Sequence, residues 1–322
     1  MSSRVRRRGL LAAGAAAALG LLVADAPTGP GTGRGRRSGA YVGWPQTPAT
    51  LDAFAAARGR RLDVAGEYLD GRDWDHLRDP DYLFDAYAGS AYARDLVLSL
   101  PLLPPGESLA DAADGAHERH WAHLGARLDA HGMGSVVVRP GWEANSPVNY
   151  PWSAVPDPAA YRAAFARCVR ALRREAPALR SDFSVTVAVD GHAVALADAY
   201  PGDDVVDVVG VDVYDMSPQP LTAAERWRWC RTAPGGLDEV AAFARSRGKP
   251  LAVDEWAVAS PSWGGGGDDP GFVVDLVGWM DAVGVVHEIY NEVRYDHTDG
   301  RLFGGGANPG AAAAYSALVG RS

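Results

Sequence analysis

The chain has 322 residues, of which 47% are hydrophobic and 22% charged, and its formal net charge at pH 7 is −9. This is an ordinary globular composition, long enough to bury one large core. Because no basic patch follows the N-terminal region of this acidic chain, nucleic acid is excluded as an expected partner.

The first 26 residues have the pattern of an export signal. Four arginines between residues 4 and 8 precede residues 9–23, which are small or apolar and uncharged. This apolar run is short for a membrane span, and Ala24-Asp-Ala26 fits a cleavage site. The Arg-Arg-Arg-Gly-Leu-Leu segment also resembles a twin-arginine signal. We therefore expect a secreted protein without a stable membrane span after cleavage, the alternative being an uncleaved anchor.

A linker and a single folded domain follow the predicted signal. Residues 27–38 are mostly Gly, Pro, Arg, Thr and Ser, a composition that predicts a disordered linker. The folded domain is then expected over residues 39–322. Its oligomeric state is left open.

The cysteines and histidines give no sign of a metal centre. Cys168 and Cys230 both lie in helical patterns, and after export they could form a disulfide or remain buried thiols. No cluster of cysteine and histidine has the spacing of metal ligands. We therefore expect neither a metal nor a cofactor.

Eight short apolar segments alternate with helical patterns along the domain. They are rich in Val and Leu and apolar throughout, which is typical of strands covered on both faces in a parallel sheet. The predicted strands are residues 39–44, 61–68, 95–103, 134–140, 183–189, 205–214, 250–258 and 285–290.

The helical patterns between these strands have clear start signals. Asp157-Pro158 and Asp269-Pro270 each combine an N-cap aspartate with a proline in the first turn, and Asn308-Pro309 opens a last helix in the same way. Eight strand-then-helix units predict an α/β fold, a (β/α)8 TIM barrel. The alternative is an open doubly wound sheet, against which the absence of a Gly-rich loop after the first strand argues.

Two glutamates follow predicted strands and sit beside tryptophans. Glu143 comes after Trp142 beyond the fourth strand, and Glu255 precedes Trp256 at the end of the seventh. Barrel enzymes build their active sites at the carboxyl ends of the strands. Paired carboxyls next to aromatic surfaces suit the hydrolysis of a sugar polymer, which needs acid–base chemistry and a stacking surface together.

Three segments resemble glycoside hydrolase family 26, a family of β-mannanases and related endoglucanases within the clan of retaining barrel glycosidases. The first is Arg139-Pro-Gly-Trp-Glu143-Ala-Asn145, followed by Asn149-Tyr-Pro-Trp152. The second is Gly210-Val-Asp-Val-Tyr214-Asp215, and the third is Lys249-Pro-Leu-Ala-Val-Asp-Glu255-Trp. The strand order fits over most of residues 40–318.

The resemblance implies a role for each of the central residues. Glu143 would be the catalytic acid and base, and Glu255 the nucleophile that attacks the sugar. The tyrosine of the second segment, Tyr214, would donate a hydrogen bond to Glu255. Arg139 precedes Glu143 by four residues, so both side chains are expected on the same face of the strand. We expect the charge of Arg139 to orient a carboxylate, that of Glu255.

A larger set of side chains is expected to bind the sugar, and one position departs from the family. These expected substrate-binding residues are Arg139, Trp142, Asn145, Trp152, Tyr214, Trp256 and Tyr290. Family 26 usually has a histidine directly before the acid–base glutamate, where this chain has Trp142. The change removes a polar contact and points to a divergent branch with another substrate preference.

The sequence therefore predicts a secreted retaining endo-β-glycosidase that acts on a mannan-type or glucan-type polysaccharide. A hydrolase of a bacterial exopolysaccharide and a non-catalytic glycan-binding barrel are the alternatives. A metal-dependent deacetylase on the same fold is a further one, against which the lack of a histidine-rich metal constellation argues.

Overall fold

A computed structural model of the protein describes residues 35–147, 150–187 and 194–319. In these ranges eight parallel strands close into a barrel in chain order, which confirms the predicted (β/α)8 architecture. The strands are β1 (Arg37–Tyr41), β2 (Val64–Tyr68), β3 (Leu96–Leu100), β4 (Val137–Pro140), β5 (Arg180–Thr186), β6 (Val208–Tyr214), β7 (Leu251–Ala257) and β8 (His287–Asn291).

The barrel is closed by pairing between its first and last strands. β1 lies parallel to β8 with a register from Arg37 opposite His287 to Tyr41 opposite Asn291. Every predicted strand overlaps an observed one. The prediction for β3 ran on to Leu103, whereas the strand ends at Leu100, because Pro101 has no N–H to donate to the neighbouring strand.

Helices surround the barrel, and a short 3₁₀ turn (Pro261–Trp263) follows β7. The helices in the described ranges are α1 (Pro48–Arg58), α2 (Trp74–Arg78), α3 (Asp81–Tyr87), α4 (Leu109–Asp114), α5 (Glu118–Ala130), α6 (Pro158–Glu175), α7 (Leu196–Ala199), α8 (Ala223–Thr232), α9 (Leu237–Ser246), α10 (Pro270–Val283) and α11 (Pro309–Val319). None of them combines the length and hydropathy that a membrane span requires.

The predicted helix starts are present, with one difference in detail. The Asp157 carboxylate accepts a hydrogen bond from the amide of Ala160 (2.9 Å), and Asp269 accepts from two amides at the start of α10. Helix α11 begins at Pro309 as expected. The side chain of Asn308, however, donates to the carbonyls of Asp299 and Arg301 rather than to the helix.

The ends of the domain and its cysteines bear on further expectations. β1 begins at Arg37, two residues before the predicted start of the domain. The predicted export signal and residues 27–34 of the predicted linker lie outside the described residues. Cys168 and Cys230 are buried free thiols, so of the two states left open the structure has the reduced one.

We predict that Gly39→Ala destabilises the barrel by about 1–3 kcal/mol, because overpacking a close strand contact forces the backbone to shift. A Cβ at residue 39 would lie 2.4 Å from the carbonyl oxygen of Val64 on the neighbouring strand. Urea unfolding measures the change. The matched control is Gly278→Ala on the exposed side of α10, where a Cβ meets nothing within 4 Å. This change should stabilise the helix by about 0.5–1 kcal/mol.

Candidate active site

The chain turns sharply after β4 and brings Glu143 to the carboxyl end of the barrel. Gly141 and Glu143 both have left-handed backbone conformations, with φ values of 59° and 51°. Such a conformation is costly for a residue other than glycine and is found preferentially at functional sites. Since β4 ends at Pro140, the strand parity that related Glu143 to Arg139 does not extend to the glutamate.

Glu143 is a carboxyl group that stays protonated to unusually high pH. Burial, and then the nearby charge of Glu255, raise its pKa to about 7. Hydrogen bonds from the hydroxyl groups of Thr186 and Tyr150 oppose this shift and orient the carboxyl group. Near neutral pH, Glu143 can therefore both donate and accept a proton.

Glu255 lies in β7 and receives hydrogen bonds from three other strands. The hydroxyl of Tyr68, at the end of β2, donates to its Oε2 atom. The hydroxyl of Tyr214, at the end of β6, donates to its Oε1 atom, as the resemblance implied. The amide of Asn291, at the end of β8, also donates to Oε1 at 2.9 Å. These donors fix the carboxylate in one orientation and stabilise its negative charge.

An irregularity in β7 determines which side chains face the barrel interior. The register with β6 shifts between Val211 and Asp212, so that Val211 pairs with Val253 but Asp212 pairs with Glu255. The extra residue, Asp254, is left without a pairing partner, as in a β-bulge. Consecutive side chains, Asp254 and Glu255, can therefore both point toward the barrel axis.

Both glutamates line one cleft of about 750 Å³ at the carboxyl ends of the strands. Aromatic rings form one of its walls. Trp263 lies 5.3 Å from the ring of Tyr214 and 4.5 Å from that of His297, which stacks on Tyr295 with an interplanar angle of 6°. Flat apolar faces of this kind suit the carbon-bound hydrogens of a sugar ring.

Arg139 occupies a different place from the one expected. Its Nη2 atom donates to both carboxylate oxygens of Asp212 at 2.6 Å and to the Ser184 hydroxyl at 2.7 Å. Its Nη1 atom donates to the Ser99 hydroxyl at 3.0 Å. Arg139 is buried in the barrel interior and forms its ion pairs with Asp212 and Asp254, so the expectation that it orients Glu255 directly is wrong.

Trp142 and Trp152 are packed around Tyr150 and are themselves largely buried. The Trp142 indole donates to the Tyr150 hydroxyl at 3.1 Å, and its ring contacts that of Tyr68 at 5.6 Å. The Trp152 ring stacks on Tyr150 at 4.7 Å. Of these rings, Tyr150 lines the cleft. The tryptophans expected to bind sugar thus support the cleft from behind.

Asn145 bridges the loop after β4 to β5. Its side chain accepts a hydrogen bond from the Thr186 amide and donates to the Thr186 carbonyl, both at 2.8 Å. Because both of its polar ends are engaged with the backbone in a buried position, Asn145 holds the loop that carries Glu143 rather than offering a group to a sugar hydroxyl.

Trp256 and Tyr290 lie away from the cleft, and their predicted contact with sugar is wrong. Both rings are 0% exposed. They pack against each other and against Tyr315 of α11, between the barrel and its helices. Their neighbours Glu255 and Asn291 face the interior, and adjacent residues of a strand point to opposite faces.

The end of β8 contributes a residue that sequence reasoning did not single out. Among the side chains there, Asn291 donates a hydrogen bond to Glu255. Glu288 accepts from the Trp256 indole at 2.6 Å, and Glu292 accepts from the amides of Leu302 and Phe303. Tyr68, which also donates to Glu255, is a second such residue. Its place as the last residue of β2 was the available signal.

No set of metal ligands faces the cleft in the described part of the chain. A group of metal-binding side-chain types does converge in the interior of the barrel, and it consists of Asp182, Asp254 and His287. These residues contribute no surface to the cleft. What the cleft holds is a carboxyl pair and aromatic rings.

The fold has counterparts in known proteins. The chain is 24% identical to endoglucanase H of Acetivibrio thermocellus over 89% of its own length, but spans 30% of that relative. A family 26 endo-β-1,4-mannanase domain from Bacillus sp. JAMB-750 has a TM-score of 0.63 at 17% identity, over 89% of this chain and 86% of that one.

Further solved structures give the same picture. An endo-β-1,4-mannanase from Cellulomonas fimi has a TM-score of 0.64 at 16% identity, over 89% of this chain and 71% of that one. A family 26 β-mannanase from Bacteroides ovatus has a TM-score of 0.59 at 16% identity, over 89% of both chains. No family model matches the chain. The resemblance to family 26 is thus supported, and this chain is a divergent relative.

We predict that Glu255→Gln lowers the pKa of Glu143 from its value of about 7, because the variant removes the negative charge that opposes ionisation of Glu143. A pH titration of side-chain-labelled glutamate followed by NMR measures the pKa. Glu175→Gln, at the exposed end of α6, is the control and should leave it unchanged. An unchanged pKa in the Glu255 variant would mean that the two carboxyls do not interact.

Proposed function

We propose that this divergent relative of glycoside hydrolase family 26 is a retaining endo-β-glycosidase that hydrolyses a β-linked polysaccharide. The observation that carries the proposal is the difference between its two glutamates. Glu143 has a pKa of about 7 and can hold a proton near neutral pH, whereas Glu255 is fixed by three hydrogen-bond donors. Retaining hydrolysis requires one acid and one nucleophile in the same cleft.

The roles follow from these environments. In the first step Glu255 attacks the anomeric carbon while Glu143 gives its proton to the leaving oxygen. In the second step Glu143, now ionised, takes a proton from water, and this water cleaves the bond between the sugar and Glu255. Burial makes Glu143 a proton carrier in both directions. The hydroxyls of Tyr68 and Tyr214 keep the attacking oxygens of Glu255 in place.

The proposed substrate is a neutral β-linked polysaccharide of the mannan or glucan type. Two features support this choice. The described residues that line the cleft include no lysine or arginine, which a polymer of acidic sugars would require. The similar proteins are named as β-mannanases and as an endoglucanase, and these names also support endo action.

Residue 142 bears on the choice between these sugars. The family's usual histidine would present a polar group beside the acid–base glutamate, whereas the Trp142 indole is turned to the Tyr150 hydroxyl at 3.1 Å. A polar contact typical of the family is therefore replaced by aromatic packing. We propose that this favours a sugar other than mannose next to the cleaved bond.

We also propose that the protein is exported and acts outside the cell. The support is the sequence pattern of residues 1–26. The twin-arginine route is the proposed pathway, because consecutive arginines precede the apolar run.

We predict that wild-type protein releases reducing ends from one member of a panel of β-mannan, β-glucan, xylan and bacterial exopolysaccharide. Glu255→Ala should reduce kcat by at least about 10⁴-fold because it removes the nucleophile. Glu143→Ala should reduce it by about 10²–10⁴-fold on the polymer. The loss should be smaller on an aryl glycoside whose leaving group needs no proton.

Glu175→Ala is the matched control, since Glu175 is exposed on α6, and this variant should keep full activity. The anomeric configuration of the first product, followed by NMR, tests retention. Tight binding of a panel member without any release of reducing ends would replace the proposal with a non-catalytic glycan-binding barrel. Full activity of Glu255→Ala would refute the role of the nucleophile.

We predict that Tyr68→Phe and Tyr214→Phe each lower kcat by about 10²-fold with little change in KM, because each removes a preorganised hydrogen bond to Glu255. Steady-state kinetics on the identified substrate measures the effect. The control is Tyr92→Phe, which removes a tyrosine–carboxylate hydrogen bond of 2.7 Å to Asp52, outside the cleft. The control variant should lose stability by about 1 kcal/mol and keep its kcat.

A further inference from the structure

A second group of ionisable side chains lies inside the barrel, apart from the cleft. Asp182 of β5, Asp254 of β7 and His287 of β8 are all buried. One candidate ligand atom from each lies within 4.8 Å of the other two. The proposed hydrolysis uses none of these residues, and all three are of types that bind metal ions.

Several oxygens of this group have no hydrogen-bond partner. Both carboxylate oxygens of Asp182 and the Oδ2 atom of Asp254 are buried without a hydrogen-bond partner in the described residues. The Oδ1 atom of Asp254 does have a partner, the Nε2 atom of His287 at 2.7 Å. Burying a carboxylate without a partner is strongly unfavourable, so these oxygens call for a positive group between them.

The buried side chains around this group carry more negative than positive formal charge. The interior around this group holds the carboxylates of Asp182, Asp212 and Asp254 and the guanidinium of Arg139. Arg139 binds Asp212 at 2.6 Å and lies 3.5 Å from the Oδ2 atom of Asp254. With all three carboxyl groups ionised and His287 neutral, two negative charges would be left without a counter-charge, which equals the charge of one divalent cation.

The backbone makes space for the two carboxylates at a specific place. A Cβ atom on Gly210 of β6 would lie 1.8 Å from the Oδ2 atom of Asp254 and 2.6 Å from the Oδ1 atom of Asp182. Glycine at this position lets both carboxylates approach the same strand. The unpartnered oxygens thus face one another over Gly210.

We propose that a divalent transition-metal ion, preferably zinc, is bound by Asp182, Asp254 and His287. The ion would link β5, β7 and β8 inside the barrel. Zinc accepts imidazole nitrogen and carboxylate oxygen together, at about 2.0–2.2 Å. In tetrahedral coordination two ligands of one such ion lie about 3.3–3.6 Å apart, so atoms that now lie up to 4.8 Å apart must approach by up to about 1.5 Å.

The simplest alternative to a metal ion is a proton shared between the two aspartates, but a metal ion would satisfy more of the unpartnered oxygens. A proton on Asp182 would give a hydrogen bond to Asp254 through one oxygen and leave its other oxygen unpartnered. A bound cation can take both. An opening of about 300 Å³ at the amino end of the barrel reaches His287, and Arg37, Arg94 and Arg180 are among its other lining residues.

The test uses the full-length chain and does not depend on enzymatic activity. Protein stripped with a chelator is dialysed against ZnCl₂, MnCl₂ or CaCl₂, bound metal is counted by mass spectrometry, and Tm is measured by thermal scanning. The expected result is one equivalent of zinc per chain, with Tm higher by about 5 °C at a concentration one hundred times Kd. Manganese should bind more weakly than zinc.

Asp182→Asn and His287→Gln should each lose the bound equivalent and the rise in Tm, which gives two independent variants if one fails to fold. The matched control is His123→Gln, since His123 forms a comparable contact of 2.8 Å with Asp79 on the exposed surface. This variant should bind zinc as the wild type does.

A wild-type chain that takes up no stoichiometric zinc or manganese, and whose Tm is indifferent to chelator, overturns the proposal in favour of the shared proton. Zinc that stays bound in both variants overturns it as well, because the ion would then lie elsewhere. Hydrolysis of polysaccharide is measured separately, so a failure here leaves the proposed function standing.

Discussion

The ion pair between Arg139 and Asp212 holds together the strands on which the active site is built. Arg139 reaches from β4 to Ser99 of β3, Ser184 of β5 and Asp212 of β6, so one guanidinium joins four strands below the glutamates. Breaking a buried pair by removing one partner costs about 3–5 kcal/mol, because the other charge is left uncompensated. The positions of the strand ends, and hence of Glu143 and Glu255, depend on this polar interior. The sequence predicted that Arg139 would orient Glu255, whereas in the structure Arg139 joins neighbouring strands in the barrel interior.

Much of the architecture could be predicted because it depends on local and periodic signals. Continuous apolar runs identified all eight strands, and aspartate–proline pairs marked the starts of α6 and α10. The two glutamates could be assigned to one end of the barrel since parallel strands place their carboxyl ends together. Tyr214 was identified by its motif, and its hydrogen bond to Glu255 is present.

The details that could not be predicted depend on contacts between distant segments. The bulge in β7 shifts the inward-facing positions by one residue, and no pattern in Val253-Asp-Glu-Trp256 announces it. Strand parity alone therefore could not place Asp254 and Glu255 on the same face. Strand parity likewise could not relate Glu143 to Arg139, because the chain turns through a left-handed conformation at Glu143. Asp182, Asp254 and His287 come from three separate strands, so no ligand spacing exists along the chain to be noticed.

Trp142 joins the two halves of the cleft through its ring. The Trp142 ring contacts Tyr68, which donates to Glu255, and it also contacts Tyr150, which hydrogen-bonds to Glu143. Residues that share contacts in this way respond to substitution non-additively. Over evolution, residue 142 should therefore change together with residues 68 and 150, and a histidine grafted alone at this position would meet a pocket shaped for indole. The three rings form one packing unit, so a substitution at one of them changes the surroundings of the other two.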